Sequence, residues 1–591
     1  MSLRAAAVLA ACVATGLGAA RREPPGPADV PLARFEHEEG RAKRVRAALA
    51  ATERGPAGPL PPSVEGALRG YDVLTYDLSF ALDPANAFLE GRAVIRVSGV
   101  APETREVALD LHDGYTLTET RRDDEDVVPL SRGGGKLVLP IEPPLPMGRR
   151  TTLAVSWRGV PPAGGALVFW RHDTGAAATN VSEPFGARDF FPCVDDPHDK
   201  AVVTLHATVP PGLVAASNGV GTRAEEPDGR TTFTWRLPQT IPTYLVSLAV
   251  SNYVTIEDTY RRLDGRTMPV VSYVLPQHAE INRTRLLEMK SHITALAGLF
   301  GEYPFADTKY GIVASHFPGG MEHPTMTSIG ASLLGNAERD LTLLLVHELA
   351  HQWWGDKVTM RTWDDVFLNE GFATYGEILY LETVSGTPPG ASLLGRDDRL
   401  YDGLMARPVV ADPASPFRYT GAVYQKGAWV LHMLRRAVGD GVFFPTLRTW
   451  GDRHAWGTAT RAELRALFEE TSGRPLKAFF DQWVESPYRP VLRVTFSNPD
   501  ASRVALAVRQ TQAHDVVHPE PGPDDTRWYG FPLTVRLFAA DGRTADVTVP
   551  VSGRESLETL TVPNPLGAPV TSILVDPAND LLKIVELSGP G

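Results

Sequence analysis

From Tyr71 onward apolar and polar residues alternate with a period of two. Val73, Thr75 and Asp77 alternate with Leu74, Tyr76 and Leu78, and similar short runs recur at 93–97, 152–157, 202–209, 231–235 and 244–250. Turn signals such as Pro210-Pro211-Gly212 and Asp228-Gly229 separate them. Many short strands at regular spacing predict an antiparallel β domain over about residues 66–255. After Gln277 the period lengthens. Stretches 283–301, 341–355, 363–386, 424–438 and 462–472 carry apolar positions three and four apart, which predicts a mainly helical region over 256–488. Period two returns at Val491 and continues through 504–508, 533–538, 546–551 and 573–575, predicting a C-terminal β-sandwich over 489–591. The fold class is therefore multidomain α+β, and 591 residues are more than one hydrophobic core accommodates.

The first 65 residues follow neither period. Arg4 precedes an apolar run of small residues, 5–20, that ends Gly18-Ala19-Ala20 before Arg21-Arg22, so residues 1–20 read as a signal peptide. The run is too short and too weakly apolar to span a bilayer, and no second such stretch occurs. Residues 21–65, with Pro24-Pro25 and 59–62 bracketing a short helical patch, read as a linker. Leu9-Ala10-Ala11-Cys12 also fits a bacterial lipoprotein box, which leaves a lipid anchor at Cys12 open. Only Cys12 and Cys193 are present, so the mature chain has no internal disulfide. The expectation is an exported protein, in a bacterial periplasm or envelope or secreted, that is held together by core size.

Composition narrows the function classes. An apolar fraction of 43% and a charged fraction of 22% are those of an ordinary globular protein. A net charge of −12 without any Lys/Arg run argues against nucleic acid as the partner.

Chemistry concentrates at His347-Glu348-Leu349-Ala350-His351, with Glu370 following after 18 residues. Two histidines four apart share one helix face and can hold one zinc ion. Glu370, on the next predicted helix, supplies the third ligand and leaves an open catalytic position. Leu341 to Val346 is continuously apolar, so this helix is expected to be buried, and buried imidazoles need a partner such as a shared metal. Glu348 is placed to act as general base on a water at the metal. Thr374, one turn beyond Glu370, is either a support of the site or plain helix surface. Read alone, these residues give a zinc peptidase of the thermolysin type and do not say whether it cuts within chains or at their ends.

The segments His347 to Asp356 and Asn369-Glu370-Gly371-Phe372-Ala373 resemble the zinc aminopeptidase family that includes aminopeptidase N and the leukotriene epoxide hydrolase, peptidase family M1 among the gluzincins. Gly319-Gly320-Met321-Glu322-His323-Pro324 resembles its G-x-M-E-N exopeptidase motif, and Phe191 to Pro197 its F-P-C-x-D-E-P segment. Tyr424-Gln425-Lys426-Gly427 resembles its Y-x-K-G segment, and Glu183, five residues before Arg188, its second substrate-anchoring acid. The resemblance covers about residues 70–590. It implies a thermolysin-like catalytic domain and one Zn2+ per chain. It further implies an amine-binding site built from Glu322 and Glu183 with Gly319, Gly320 and Met321 lining it, and Tyr424 steadying the oxyanion. The expected substrates are peptides with a free N-terminus. Two carboxylates converging in a dry pocket would hold an α-ammonium strongly. The large helical C-terminal domain of many relatives is not expected, since the chain ends with the sandwich.

Two departures stand out. His323 replaces the asparagine of the exopeptidase motif, and Thr179-Asn180-Val181-Ser182 differs from the usual T-Q-x-E. Rival readings are a zinc endopeptidase, which needs no Glu322 or Glu183, an epoxide hydrolase by family analogy, and a catalytically dead binding protein, disfavoured by the intact metal and base positions. Cys193 and the histidines at 172, 198, 206, 432 and 454 show no ligand spacing and are read as structural or surface residues.

Overall fold

A computed structural model describes residues 69–397, 407–512 and 528–586. The signal peptide, the linker and Cys12 lie outside the described residues. Three regions follow one another, β, then mixed with most of the helices, then β, and one continuous apolar cluster runs through all three.

In the first region Tyr71–Asp83 is the centre of an eight-stranded sheet, paired antiparallel with Phe88–Gly99 and parallel with Lys200–Val209. Strict alternation would put Val73, Thr75 and Asp77 on one face. The register with Phe88–Gly99 instead shifts between Val73 and Thr75, so Val73, Tyr76, Leu78 and Phe80 all face the core. A β-bulge resets the phase of a strand in this way, and the reset is invisible to a two-residue count. A separate four-stranded sheet contains Gly175–Asn180, whose end delivers the chain to Glu183.

The middle region opens with a five-stranded sheet that the sequence pattern did not predict. Its order is Val254–Arg261, Thr267–Val274, Ile312–Ser315, Thr327–Gly330 and Gly320–Met321. Ile312–Ser315 and Thr327–Gly330 are buried at every position and pair in parallel, so they carry no alternation to read. Against this sheet lie the helices, of which three matter most: α1 (Thr342–Ala350), α2 (Phe367–Ser385) and α3 (Gly427–Val438).

The last region forms two sheets. One holds Leu557–Pro563, Arg503–Gln510, Val491–Asp500 and Ile584–Val585, and the other Thr544–Val551, Phe531–Ala539 and Val570–Val575. Alternating burial along Arg503–Gln510 and Phe531–Ala539 matches a sandwich whose inner faces meet. Among the described residues no helical domain follows these strands.

Candidate active site

Helix α1 is buried along Leu343 to Ala350, as the apolar run requires. Its partner α2 approaches closely, because a Cβ placed on Gly376 would lie only 2.8 Å from the Ala350 Cβ. This crossing sets Glu370 opposite the two histidines. His347 Nε2 and His351 Nε2 are 3.1 Å apart, and Glu370 Oε2 is 3.2 Å from the first and 3.3 Å from the second. Tetrahedral zinc with ligand bonds of about 2.0–2.1 Å separates its ligands by about 3.3 Å.

The far side of each ring fixes which nitrogen carries the proton. His351 Nδ1 lies 3.0 Å from the Trp354 carbonyl oxygen, and His347 Nδ1 lies 2.8 Å from Glu377 Oε1. Both partners are acceptors, so each Nδ1–H donates and each Nε2 presents its lone pair to the other and to Glu370. Three electron-rich atoms converging at ligand spacing fit a cation between them. Glu377 escaped the sequence reading, although it lies seven residues, two helical turns, beyond Glu370 and so shares its face. Thr374 is buried between them, but its hydroxyl makes no hydrogen bond among the described residues.

Glu348 points to the strand edge rather than to solvent. A Cβ on Gly320 would sit 2.2 Å from its Oε1, so only glycine lets the Gly320–Met321 strand pass over the carboxylate. The strand pairs with Thr327–Gly330, and the Gly319 carbonyl accepts from Gly330 N at 2.9 Å. Gln352, one residue past the second histidine, clamps the segment that follows. Its Nε2 donates to the Glu322 carbonyl at 3.0 Å, and its Oε1 accepts from Thr325 N and from the Tyr303 hydroxyl, both at 2.9 Å. Ligand-capable atoms of Glu322, Glu348 and His351 thereby fall within 4.8 Å of one another. His323 is fully buried, pairs through Nδ1 with the Ser328 hydroxyl at 2.9 Å, and does not join the ligand atoms.

Glu183 comes from the other domain and is 4% exposed, hence no solvated loop acid. Asn180 anchors the approach to it, accepting from Leu248 N at 2.7 Å and donating to the Val246 carbonyl at 2.8 Å and the Ser182 hydroxyl at 2.9 Å. These bonds fix the strand end that leads to Glu183. Beyond the cis Glu183–Pro184 bond, Arg188 is held by Asp195 at 2.6 Å and Asp110 at 3.3 Å. The Phe191 to Pro197 segment is thus a brace for this loop, and Cys193 within it is buried, with its backbone bridged to Asp110. The outcome is that carboxylate oxygens of Glu183, Glu322 and Glu370 lie within 4.8 Å of one another.

Tyr424 does not simply begin a helix. Ala422–Lys426 is a π-helical turn ahead of α3, a wide turn often found at functional sites. Its ring lies nearly parallel to that of His347, 10° apart with centroids at 5.9 Å. The turn is drawn in by glycines, since a Cβ on Gly371 would be 3.0 Å from the Gly427 Cα. The glycine after Glu370 and the glycine ending the Tyr424 motif therefore pack on each other. Lys426 is buried and donates to the Ser486 carbonyl at 2.7 Å and the Arg407 carbonyl at 3.3 Å, and burial pushes its pKa down to about 7.

Two more groups surround the acidic pair without having been foreseen. The buried Tyr244 hydroxyl accepts from Asn369 Nδ2 at 3.2 Å, and burial together with the charges of Glu322 and Glu183 pushes its pKa well up. Asp356 is fully buried, and desolvation and then the Glu322 charge raise its carboxyl well above the ordinary range. Neither shows a ligand spacing of its own, although Asp356 closes the segment that begins at His347.

Comparison with known proteins agrees with this geometry. The Peptidase M1 N-terminal domain model matches residues 73–245 and the Peptidase family M1 domain model residues 288–483, together more than half of the chain. The bovine glutamyl aminopeptidase is 31% identical over 343 residues, 54% of this chain and 35% of its own length. Aminopeptidase N of Streptomyces lividans is 29% identical over 55% of this chain and 40% of its own. The chain thus spans well under half of the length of these curated relatives. Among solved structures, a variant M1 zinc metallopeptidase of Deinococcus radiodurans, bound to the substrate Tyr-Ser-Ala, superposes with a TM-score of 0.62 at 27% identity, covering 71% of this chain and 96% of that one. Aminopeptidase A of Legionella pneumophila, in complex with aspartic acid, shares the fold with a TM-score of 0.73 at 20% identity, over 88% and 60% of the respective chains. No helix among the described residues is long and apolar enough to cross a membrane.

Proposed function

Because the chain belongs to peptidase family M1, we propose that it is a zinc-dependent aminopeptidase that removes the N-terminal residue of peptides. The observation that carries this reading is the convergence of Glu183 and Glu322, from two domains, on the carboxylate of Glu370, which also faces both histidines. A zinc ion held singly by His347, His351 and Glu370 would supply Lewis acidity, polarising the scissile carbonyl and acidifying water. Glu183 and Glu322 accept hydrogen bonds from the substrate's α-ammonium and fix where the chain begins. Glu348 takes a proton from the attacking water and returns it to the leaving amine. The Tyr424 hydroxyl donates to the developing oxyanion, from the side of the site where its ring lies along His347. Gly319, Gly320 and Met321 form an edge along which substrate backbone can lie.

An endopeptidase would use the same metal ligands and base but would not need the two amine-binding carboxylates. A panel of fluorogenic aminoacyl amides on wild type, Glu348→Gln and Glu322→Ala decides. The expected result is loss of about a hundred- to ten-thousandfold in Glu348→Gln and a shift towards N-blocked peptides in Glu322→Ala. Unchanged turnover in Glu348→Gln would remove the proposed base. Export and the lipid anchor at Cys12 stand as proposals from the first 20 residues, and the mass of the mature N-terminus tests both.

A further inference from the structure

Three residues after Glu322, Thr325 holds a left-handed backbone with φ +66°. A β-branched residue adopts that conformation only where its surroundings impose it. Here they do so from both domains. Gln352 Oε1 accepts from Thr325 N at 2.9 Å, and Lys309 Nζ donates to the Thr325 carbonyl at 3.1 Å and to its hydroxyl at 3.3 Å. From the N-terminal domain, Gly219 N donates to the same hydroxyl at 2.7 Å, and Asn218 Nδ2 donates to the Pro324 carbonyl at 2.8 Å. Lys309 itself crosses the domain boundary, donating to the Ser217 carbonyl at 3.0 Å, with the Trp235 ring centroid 4.9 Å from its Nζ. It is buried, and among the described residues it has no carboxylate partner. A buried lysine is tolerated where acceptors satisfy it, and all of its acceptors belong to this junction.

Asn218 has a second attachment. Its Nδ2 also donates to the Leu245 carbonyl at 3.2 Å, and its Oδ1 accepts from Ser247 N at 2.7 Å. The Ser217 hydroxyl adds a bond to the Ser247 carbonyl at 2.6 Å. Asn180, which leads to Glu183, binds the residues in between, with Nδ2 on the Val246 carbonyl at 2.8 Å and Oδ1 on Leu248 N at 2.7 Å. Two buried asparagine amides thus interleave on one backbone run, Leu245 to Leu248, one leading to each amine-binding carboxylate. The run starts directly after Tyr244, whose hydroxyl feels the charges of both Glu322 and Glu183.

We propose that Asn218 and Lys309 are positioning residues that, together with Asn180, gauge the spacing between Glu183 and Glu322 through the shared run 245–248. Loosening either end of this gauge moves one carboxylate relative to the other. The proposed zinc ligands are carried separately on α1 and α2 and stay in place. The inference rests on the aminopeptidase reading, because what the gauge sets is affinity for the substrate's α-ammonium. That affinity falls as two charge-assisted hydrogen bonds lose their alignment.

The test uses two probes, alanine hydroxamate and propanohydroxamate, which share a metal-chelating group and differ by the α-amine. The ratio of their dissociation constants, measured by calorimetry on the zinc-loaded chain, reads amine recognition apart from the metal. It is taken in wild type, Asn218→Ala, Lys309→Met and Thr325→Gly, and for each again in a Glu322→Ala background. Zinc content and thermal midpoint are the controls for folding. Thr325→Gly keeps the left-handed turn without strain and removes the hydroxyl that Gly219 and Lys309 share, so it decides even where the other two variants unfold. The expected wild-type ratio is about a hundred or more in favour of the amine. It should fall about tenfold in Asn218→Ala and Lys309→Met and about threefold in Thr325→Gly, with propanohydroxamate affinity unchanged. In the Glu322→Ala background the same substitutions should lower it no further, since they act through Glu322. A wild-type ratio that every folded variant keeps, a parallel loss for both probes, or an equal loss in the Glu322→Ala background would overturn the gauge alone. A wild-type ratio near one, or no binding of either probe, would overturn the aminopeptidase reading and this inference with it.

Discussion

The proposed metal-binding half of the site and the proposed amine-binding half are built on different principles. His347, His351 and Glu370 sit on two buried helices whose own periodicity aims them, and Ala350 against Gly376 locks the crossing. Glu183 and Glu322 sit instead beyond strand ends in separate sheets, and only distant groups aim them: Gln352 for Glu322, Asn180 and the Arg188–Asp195 pair for the approach to Glu183. The difference teaches that chemistry can be specified locally while the starting point on the substrate is specified by domain packing. Substitutions in the first half should therefore cost turnover or metal. Those in the second should change what is cut.

The comparison can be sharpened from the largest effect downward. Tyr424→Phe removes the oxyanion donor but leaves the stacking on His347, so kcat should fall about a hundred- to a thousandfold. Stopped-flow or steady-state kinetics with KM little changed is the expected outcome, and a pure KM effect would move Tyr424 to the binding half. Glu377→Gln removes the charge that holds His347 in its tautomer, and zinc affinity should drop about ten- to a hundredfold in a chelator competition assay. Unaltered affinity would show that α2 and the ring packing suffice to orient the histidine.

Gly371→Ala tests how the halves are joined. The helix itself would gain about 0.5–1 kcal/mol from the change. The new Cβ, however, meets the Gly427 backbone at 3.0 and 3.1 Å, where no flexible side chain can yield. Overpacking costs about 1–3 kcal/mol, so the net is a destabilisation of roughly 1 kcal/mol, with Tyr424 displaced and turnover lowered. A lower urea midpoint together with reduced kcat is expected; a more stable, fully active variant would refute the glycine contact.

A last check, read as a pH slope in stability and not as a change in turnover, concerns Lys426, whose folded pKa of about 7 lies below that of an unfolded lysine, about 10.4. Between those values the unfolded chain binds the extra proton. Wild-type stability relative to Lys426→Met should then rise with pH from about 7 to 10, by at most about 1.4 kcal/mol per unit, and be flat below 7. Urea midpoints of both proteins at pH 6, 7.5 and 9 check the sign, and a gap that is constant or moves the other way contradicts it.

The two halves also differ in how far the sequence reveals them. Spacing alone set His347 and His351, the proposed zinc ligands, on one helix face, and the fold brings Glu370 opposite them. The motif around Gly320 placed Glu322, and the reason for its glycine, the Glu348 carboxylate beneath it, emerged only from the fold. The parallel centre of the five-stranded sheet was missed because strands buried on both faces lose their alternation. The bulge after Val73 reset a phase that a period count treats as continuous. Glu377 was readable as a seven-residue repeat of Glu370. Tyr244 and Asp356 were not, since only the packing of the domains brings their charges and hydroxyls to bear on Glu183 and Glu322.

The central claim is that Glu183 and Glu322 make the site measure from a free amino terminus. The most direct measurement is kcat/KM for one short peptide and its N-acetylated form, in wild type and in the double variant Glu183→Gln, Glu322→Gln, with products identified by mass. The account predicts stepwise loss of single N-terminal residues, a wild-type rate at least about a hundredfold lower on the acetylated form, and a much smaller ratio in the double variant. Equal cleavage of both forms by wild type, or a ratio that the double variant preserves, would contradict it.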